Sequence, residues 1–244
     1  AASREHRGGR PVTGLLIIGA LLSSTPRPCV HGVGEARPRV TLAEQRLVKR
    51  VIEQVVSASE AHPDLVKLLT LVAERESSWQ LGVVHRLPAD LDGSRAAWRH
   101  TRALYEGNAW AADASRWQTY GLFGMNSSYF TVVWDRAADP RILCDAVVDV
   151  LVYRRALVRA LRRLSAPVEC DGEMVRVAPT WAALHGAVSG GRRCPTEQRD
   201  FYKRARRAKL DADRVVTLAD LGHEPEAKSQ DELVRTLWGR IETR

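Results

Sequence analysis

The stretch "LVAERESSWQ", Leu71–Gln80, sets two carboxylates, Glu74 and Glu76, where an apolar helix runs out, then adds two serines and a tryptophan. At the C-terminal end of a helix a carboxylate meets unpaired carbonyl oxygens, which repel its charge. Such a place suits either a solvated end residue or an acid meant to keep its proton. Breaking a glycosidic bond at near-neutral pH needs the second kind, a general acid. The helix terminus, Val72, Ala73 and Trp79 are the surroundings expected to disfavour the charged form of Glu76. Glu74 stands two residues earlier, roughly 200° round the helix, so both glutamates do not face one cleft. Arg75 between them reads as a solvated or paired residue.

The element that must carry Glu76 is a helix. After His62-Pro63-Asp64, where Pro63 suits the first helical position, "LVKLLTLVA" is apolar nearly all round. That predicts a buried helix ending at about Ser77–Trp79. Ahead of it, "VTLAEQRLVKRVIEQVVSASEA" opens with Thr41 and Glu44 at capping-box spacing. Leu47, Val48, Val51, Ile52 and Val55 then recur with helical period. Residues 80–118 read as irregular, with a loop over "RLPADLDGS", a short helix over Arg95–Glu106 and a turn at "EGNAW". Trp98, Trp110 and Trp117 fall there, as packing residues or as platforms for sugar rings.

The two glycines of "YGLFGMNSSYF" argue against a regular helix. "DPRILCDAVVDVLVYRRALVRALRRL" predicts a long amphipathic helix whose second half carries Arg154, Arg155, Arg159, Arg162 and Arg163. "APTWAALHGAVSGG" predicts a shorter helix and "EQRDFYKRARRAKLD" a basic one; a linker and a closing helix follow. No strand signal is strong, so the fold class is mainly α.

A chain of 244 residues, 45% hydrophobic and 27% charged, suits one good-sized core with extensions. Its net charge of +8 is unevenly spread, since residues 1–40 hold six Arg and two Glu. Arg4, Arg7 and Arg10 precede the apolar run "VTGLLIIGALLSS", which has the length of a signal-peptide core and is short for a membrane span of ~20 residues. We therefore expect a leader over residues 1–36 and export to a periplasmic or extracellular space, against a buried helix or uncleaved anchor. Of the four cysteines, Cys29 would leave with that leader. Cys144, Cys170 and Cys194 form no CxxC pair that would suggest zinc. In an exported chain a Cys170–Cys194 bridge competes with buried thiols.

The order of these pieces carries a resemblance. "ERESSW" at the end of a buried helix resembles the Glu-Ser signature of lytic transglycosylases in the lysozyme-like superfamily. "YGLFGMNSSYF" looks like the glycine element that follows it there. "DPRILCDAVVDVL" is similar to the family's next helix, and "TWAALHGAVSGG" sits where its Ala-Tyr-Asn-Ala-Gly element is expected. The match spans about residues 41–210, within a domain expected over 37–212; residues 213–244 would be the C-terminal linker and helix. The resemblance implies a lysozyme-like helical domain with an irregular active-site insertion, acting on peptidoglycan glycan strands. Glu76 would protonate the oxygen leaving between N-acetylmuramic acid and N-acetylglucosamine, then take the proton of the muramic C6 hydroxyl. That hydroxyl closes onto C1 and leaves a 1,6-anhydro end. Ser77 would orient Glu76 or substrate, and Tyr120, Gly121, Leu122, Phe123, Met125, Asn126 and His185 would contact the glycan. No metal or cofactor is implied.

This sequence departs from the pattern at Gly124, where the family has Gln, and at Leu184 and His185, where it has Tyr and Asn. These departures keep a non-catalytic wall-binding or assembly protein as an alternative. A muramidase-type hydrolase is a further one and would need a second carboxylate. The hydrolase position two residues before the first glycine is Thr119, which leaves Asp92, Glu106 and Asp113 as candidates. Arg192–Lys209 holds eight basic and two acidic residues, a solvated face or a contact for anionic wall polymer. Sparse aromatic interleaving argues against nucleic acid, and a membrane would be met only through an uncleaved leader.

Overall fold

The structure, a computed structural model, describes residues 40–80, 84–86, 118–126, 140–164, 166–189, 194, 198–224 and 230–242. The leader, the Arg95–Glu106 segment, Trp98, Trp110 and Trp117 lie outside the described residues. What is described is mainly helical with two small sheets.

Helix α1, Leu42–Ala58, starts at the expected capping box: the Glu44 N–H donates to Thr41 Oγ1, and the Thr41 N–H to Glu44 Oε2 at 2.7 Å. Its Val48, Val51, Ile52 and Val55 stripe is fully buried. Helix α2, Asp64–Ser77, begins one residue later than the proline rule predicts, with Pro63 outside it. Pro63 carries no capping side chain, and His62 Nδ1 instead accepts the Asp64 N–H at 3.1 Å.

Three short antiparallel strands follow, β1 (Val84–Arg86), β2 (Gln118–Tyr120) and β3 (Met125–Asn126), in that order. Tyr120 pairs with Met125, so the four residues Gly121–Gly124 form the turn of the β2–β3 hairpin. The long helix α3 runs from Ala146 to Leu164, and a 3-10 turn over Pro140–Cys144 takes the place of its expected beginning. Asp145 explains that boundary: its carboxylate accepts the N–H groups of Val147 and Val148 and caps the helix.

A hairpin of β4 (Val168–Cys170) and β5 (Glu173–Val175) turns at Asp171-Gly172, both with positive φ. Asp-Gly is the pair that favours this two-residue turn. The Cys170–Cys194 bridge is formed, and Cys144 is also disulfide-bonded. Helices α4 (Trp181–Val188), α5 (Arg199–Arg207) and α6 (Gln230–Glu242) complete the chain.

Helix α3 is buried along most of its length, and α1, α4 and α6 pack on it. Two expectations change here. Arg154 is buried rather than part of a basic surface, because its guanidinium donates to the carbonyls of Leu221 and Gly222. Residues 213–224 are not a loose linker, because Val216 and Leu221 enter the core and His223 N–H returns to the Ser59 carbonyl at 2.9 Å.

Candidate active site

Glu76 lies in the last turn of α2, on the border between its buried and exposed sides. Val72 and Ala73, one turn earlier, are fully buried. Glu76 keeps 31% of its side chain in solvent, and its Oε1 stands 3.3 Å from Arg75 Nε. The apolar enclosure expected for this carboxyl is therefore partial: Glu76 shares the helix face of Val72 and Ala73, but it stands in the last turn, where that face opens to solvent. The terminal carbonyls are not bare either. Ala73 O accepts the Ser77 hydroxyl at 2.9 Å and the Trp79 N–H at 3.3 Å, and Glu74 O accepts the Ser78 N–H at 3.2 Å. Left-handed backbone at Ser78 and Trp79, φ 52 and 68, makes those returns possible. Trp79 is buried, with the Lys49 ammonium 5.1 Å over its ring.

The turn of the β2–β3 hairpin stands directly against Glu76. A Cβ built on Gly124 would lie 3.5 Å from Glu76 Oε2 and 3.6 Å from its Cβ. The chain thus brings the acid and the glycine element together, as the order of motifs led us to expect. What the turn presents is different. Tyr120, Leu122, Phe123 and Met125 are buried, so their side chains serve the core, and half-buried Gly124 is what faces Glu76. Asn126 lies in β3 opposite Thr119 of β2, so Thr119 is a strand residue beside the turn.

Two further site residues are corrected by burial. Ser77 has no exposed surface and its hydroxyl bonds back to Ala73 O, so it holds the helix end rather than substrate. His185 is 2% exposed, stacked on Phe201 at 4.6 Å, with the Tyr153 hydroxyl 3.1 Å and the Ser189 hydroxyl 3.2 Å from Nδ1. Burial, helped by the charges of Arg75 and Arg204, pushes its pKa down to about 3, so the ring is neutral near pH 7. It packs the core with Leu184, its fully buried neighbour.

Sequence reasoning missed Asp149, the one charged residue within "AVVDVLVY" of α3. Its carboxyl is fully buried, and Oδ2 accepts the N–H groups of Leu122 and Phe123, the latter at 3.4 Å. Its Oδ1 has no hydrogen-bond partner among the described residues. Burial raises its pKa well above the ordinary carboxylate value, outweighing the two N–H groups that favour the anion. Gly121 is what lets this carboxyl approach: at φ 75 its Cα hydrogen faces Asp149, and a Cβ would overlap the carboxyl and lie 2.6 Å from Leu143 O. The readable signal was an acid on the apolar face of an amphipathic helix, which is costly unless its oxygens are hydrogen-bonded.

Asp92, Glu106 and Asp113, the candidate second carboxylates, lie outside the described residues. Chemically, the site offers a half-exposed carboxylate, a neighbouring guanidinium and a backbone turn held from behind by α3. No protein-family model, curated protein or solved structure matches the chain.

Proposed function

We propose that this protein is a lysozyme-like peptidoglycan lytic transglycosylase that cleaves the bond between N-acetylmuramic acid and N-acetylglucosamine with Glu76 as acid and base. One observation carries the reading: the Glu76 carboxyl is solvent-accessible and faces Gly124 of the glycine turn, within 3.5 Å of where a Cβ would stand. A sugar entering there would meet the proton donor beside the backbone of Gly124, an arrangement that suits a positioned general acid. The order of helix, glycine hairpin, long central helix and short α4 supports the same family likeness. The Cys170–Cys194 bridge favours an oxidising compartment and so export.

The alternative is a wall-binding or assembly protein without turnover. It draws support from Ser77 and His185, whose polar groups are taken up inside the protein, and from the Arg75 partner at the Glu76 carboxylate. Incubation with purified sacculi separates the two. Soluble fragments with 1,6-anhydro ends, lost by about 100-fold or more in rate in Glu76→Gln, are expected. Reducing ends would indicate a hydrolase. Sedimentation with sacculi without fragment release would favour the binder.

A further inference from the structure

We propose that Asp149 is a positioning residue for Glu76, holding the Gly121–Gly124 turn against it from inside helix α3; the catalytic part of this inference rests on the function proposed above. The hairpin cannot hold that turn by pairing alone. β2 and β3 share two residue pairs, and so short a ladder is marginal by itself in water. The turn must therefore be anchored by what it packs on.

Helix α3 supplies two anchors one helical turn apart. Asp149 accepts the backbone N–H groups of Leu122 and Phe123. Tyr153 meets the Phe123 ring at 4.7 Å between centroids. Residues at i and i+4 lie on one face of a helix, so both anchors point the same way. The two middle residues of the turn are thus fixed in backbone and in side chain. Gly124, the next residue, is then delivered to the Glu76 side chain.

The choice of residue supports this over a purely structural role. A buried carboxyl is expensive, and an apolar side chain would fill the space at lower cost. What an apolar residue lacks is an acceptor for two adjacent backbone N–H groups. Gly121 is tied to the same arrangement, since any Cβ there would displace the carboxyl from those groups.

The test compares Asp149→Asn, whose amide oxygen still accepts both N–H groups, with Asp149→Ala, which accepts neither. Turnover is measured on purified glycan strands, alongside hydrogen exchange of the Leu122 and Phe123 amides and the unfolding midpoint. Asp149→Ala is expected to lose about 100-fold in kcat with KM little changed, the scale of a misplacement near 1 Å. Its Leu122 and Phe123 amides should lose protection, while Asp149→Asn keeps most of both. Should Asp149→Ala prove too unstable to fold, Asp149→Ser at the same position gives the comparison. Wild-type kcat and amide protection in the Ala or Ser variant would overturn the proposal, as would an Asn variant as impaired as Ala. A wild type releasing no fragments would instead remove the function proposed for Glu76. The tether would then be judged by the amides, and unchanged protection would overturn it too.

Discussion

The Glu76 side chain and Gly124 face each other across the room that a Cβ would fill, and their approach depends on backbone shape more than on space. A Cβ at Gly124 would sit at an ordinary 3.5 Å from Oε2, yet the residue has φ 59, a region L-residues visit reluctantly. Gly124→Ala should therefore destabilise by about 1–2 kcal/mol through strain, not through a clash. Gly124→Asn should cost less, because Asn tolerates left-handed backbone best among side-chain-bearing residues. Urea midpoints of the two variants check the order. An alanine variant as stable as wild type would mean that the turn relaxes freely, and the approach to Glu76 would then not be a fixed one.

Asp149 gives stability a pH dependence of unusual sign. Its folded pKa lies above the ordinary 3.8, so the native state holds a proton that the unfolded state releases. The stabilisation from this group is complete below its ordinary pKa of 3.8 and is lost as pH rises through the folded pKa. Asp149→Asn cannot ionise. It should gain on wild type steadily as pH is raised above 3.8, read as a growing difference in unfolding midpoint. A constant difference across that range would show that Asp149 is already charged in the native protein.

The contrast between Glu76 and Asp149 shows what the sequence could tell. The helices were legible because burial follows period: the α1 stripe and its capping box stand where Thr41, Glu44 and the valines put them. The meeting of Glu76 with the glycine turn was legible from the order of motifs. The roles inside the turn were not. Which side of Tyr120, Leu122, Phe123 and Met125 faces the core depends on a strand register that two short strands do not reveal locally. Arg154 looks like an ordinary polar position of an amphipathic helix until Leu221 arrives to bond it, and Asp149, though an acid among apolar neighbours, does not show in advance which amides it will serve. His185 was misplaced for the same reason, since its partners Tyr153 and Phe201 come from two other helices.

Arg154 and Arg155 are neighbours with very different expected weights. Arg154 Nε donates to Leu221 O at 2.7 Å from a buried position, and its other donor reaches Gly222 O. Arg154→Ala strands two carbonyls and should destabilise by about 3 kcal/mol. Arg154→Lys keeps the charge but lacks the planar fork, so it should recover only part of that loss. Arg155 pairs with Glu224 at a partly exposed site, and Arg155→Ala should cost no more than about 1 kcal/mol. Denaturant titration of the three variants tests the order. If Arg154→Ala proved as mild as Arg155→Ala, residues 215–224 would have to be held by packing and by backbone bonds such as that from His223 N–H to Ser59 O.

His185 works on stability in the opposite direction to Asp149. Its folded pKa is about 3, against an ordinary 6.5, because burial and the charges of Arg75 and Arg204 resist protonation. Below pH 6.5 the unfolded chain takes up a proton that the native ring refuses, so stability falls as pH drops from 6.5 towards 3. His185→Gln, which keeps a polar group near the Tyr153 hydroxyl but cannot titrate, should flatten that limb relative to wild type. Since the Asp149 contribution fades as pH rises, the two groups pull against each other across the overlapping range. The double variant should therefore lack both of these contributions, leaving the pH dependence of the remaining groups, Asp220 with its lowered pKa among them. Parallel pH profiles for wild type and His185→Gln would mean that the ring takes up its proton in the folded state, which its enclosure by Tyr153, Ser189 and Phe201 argues against.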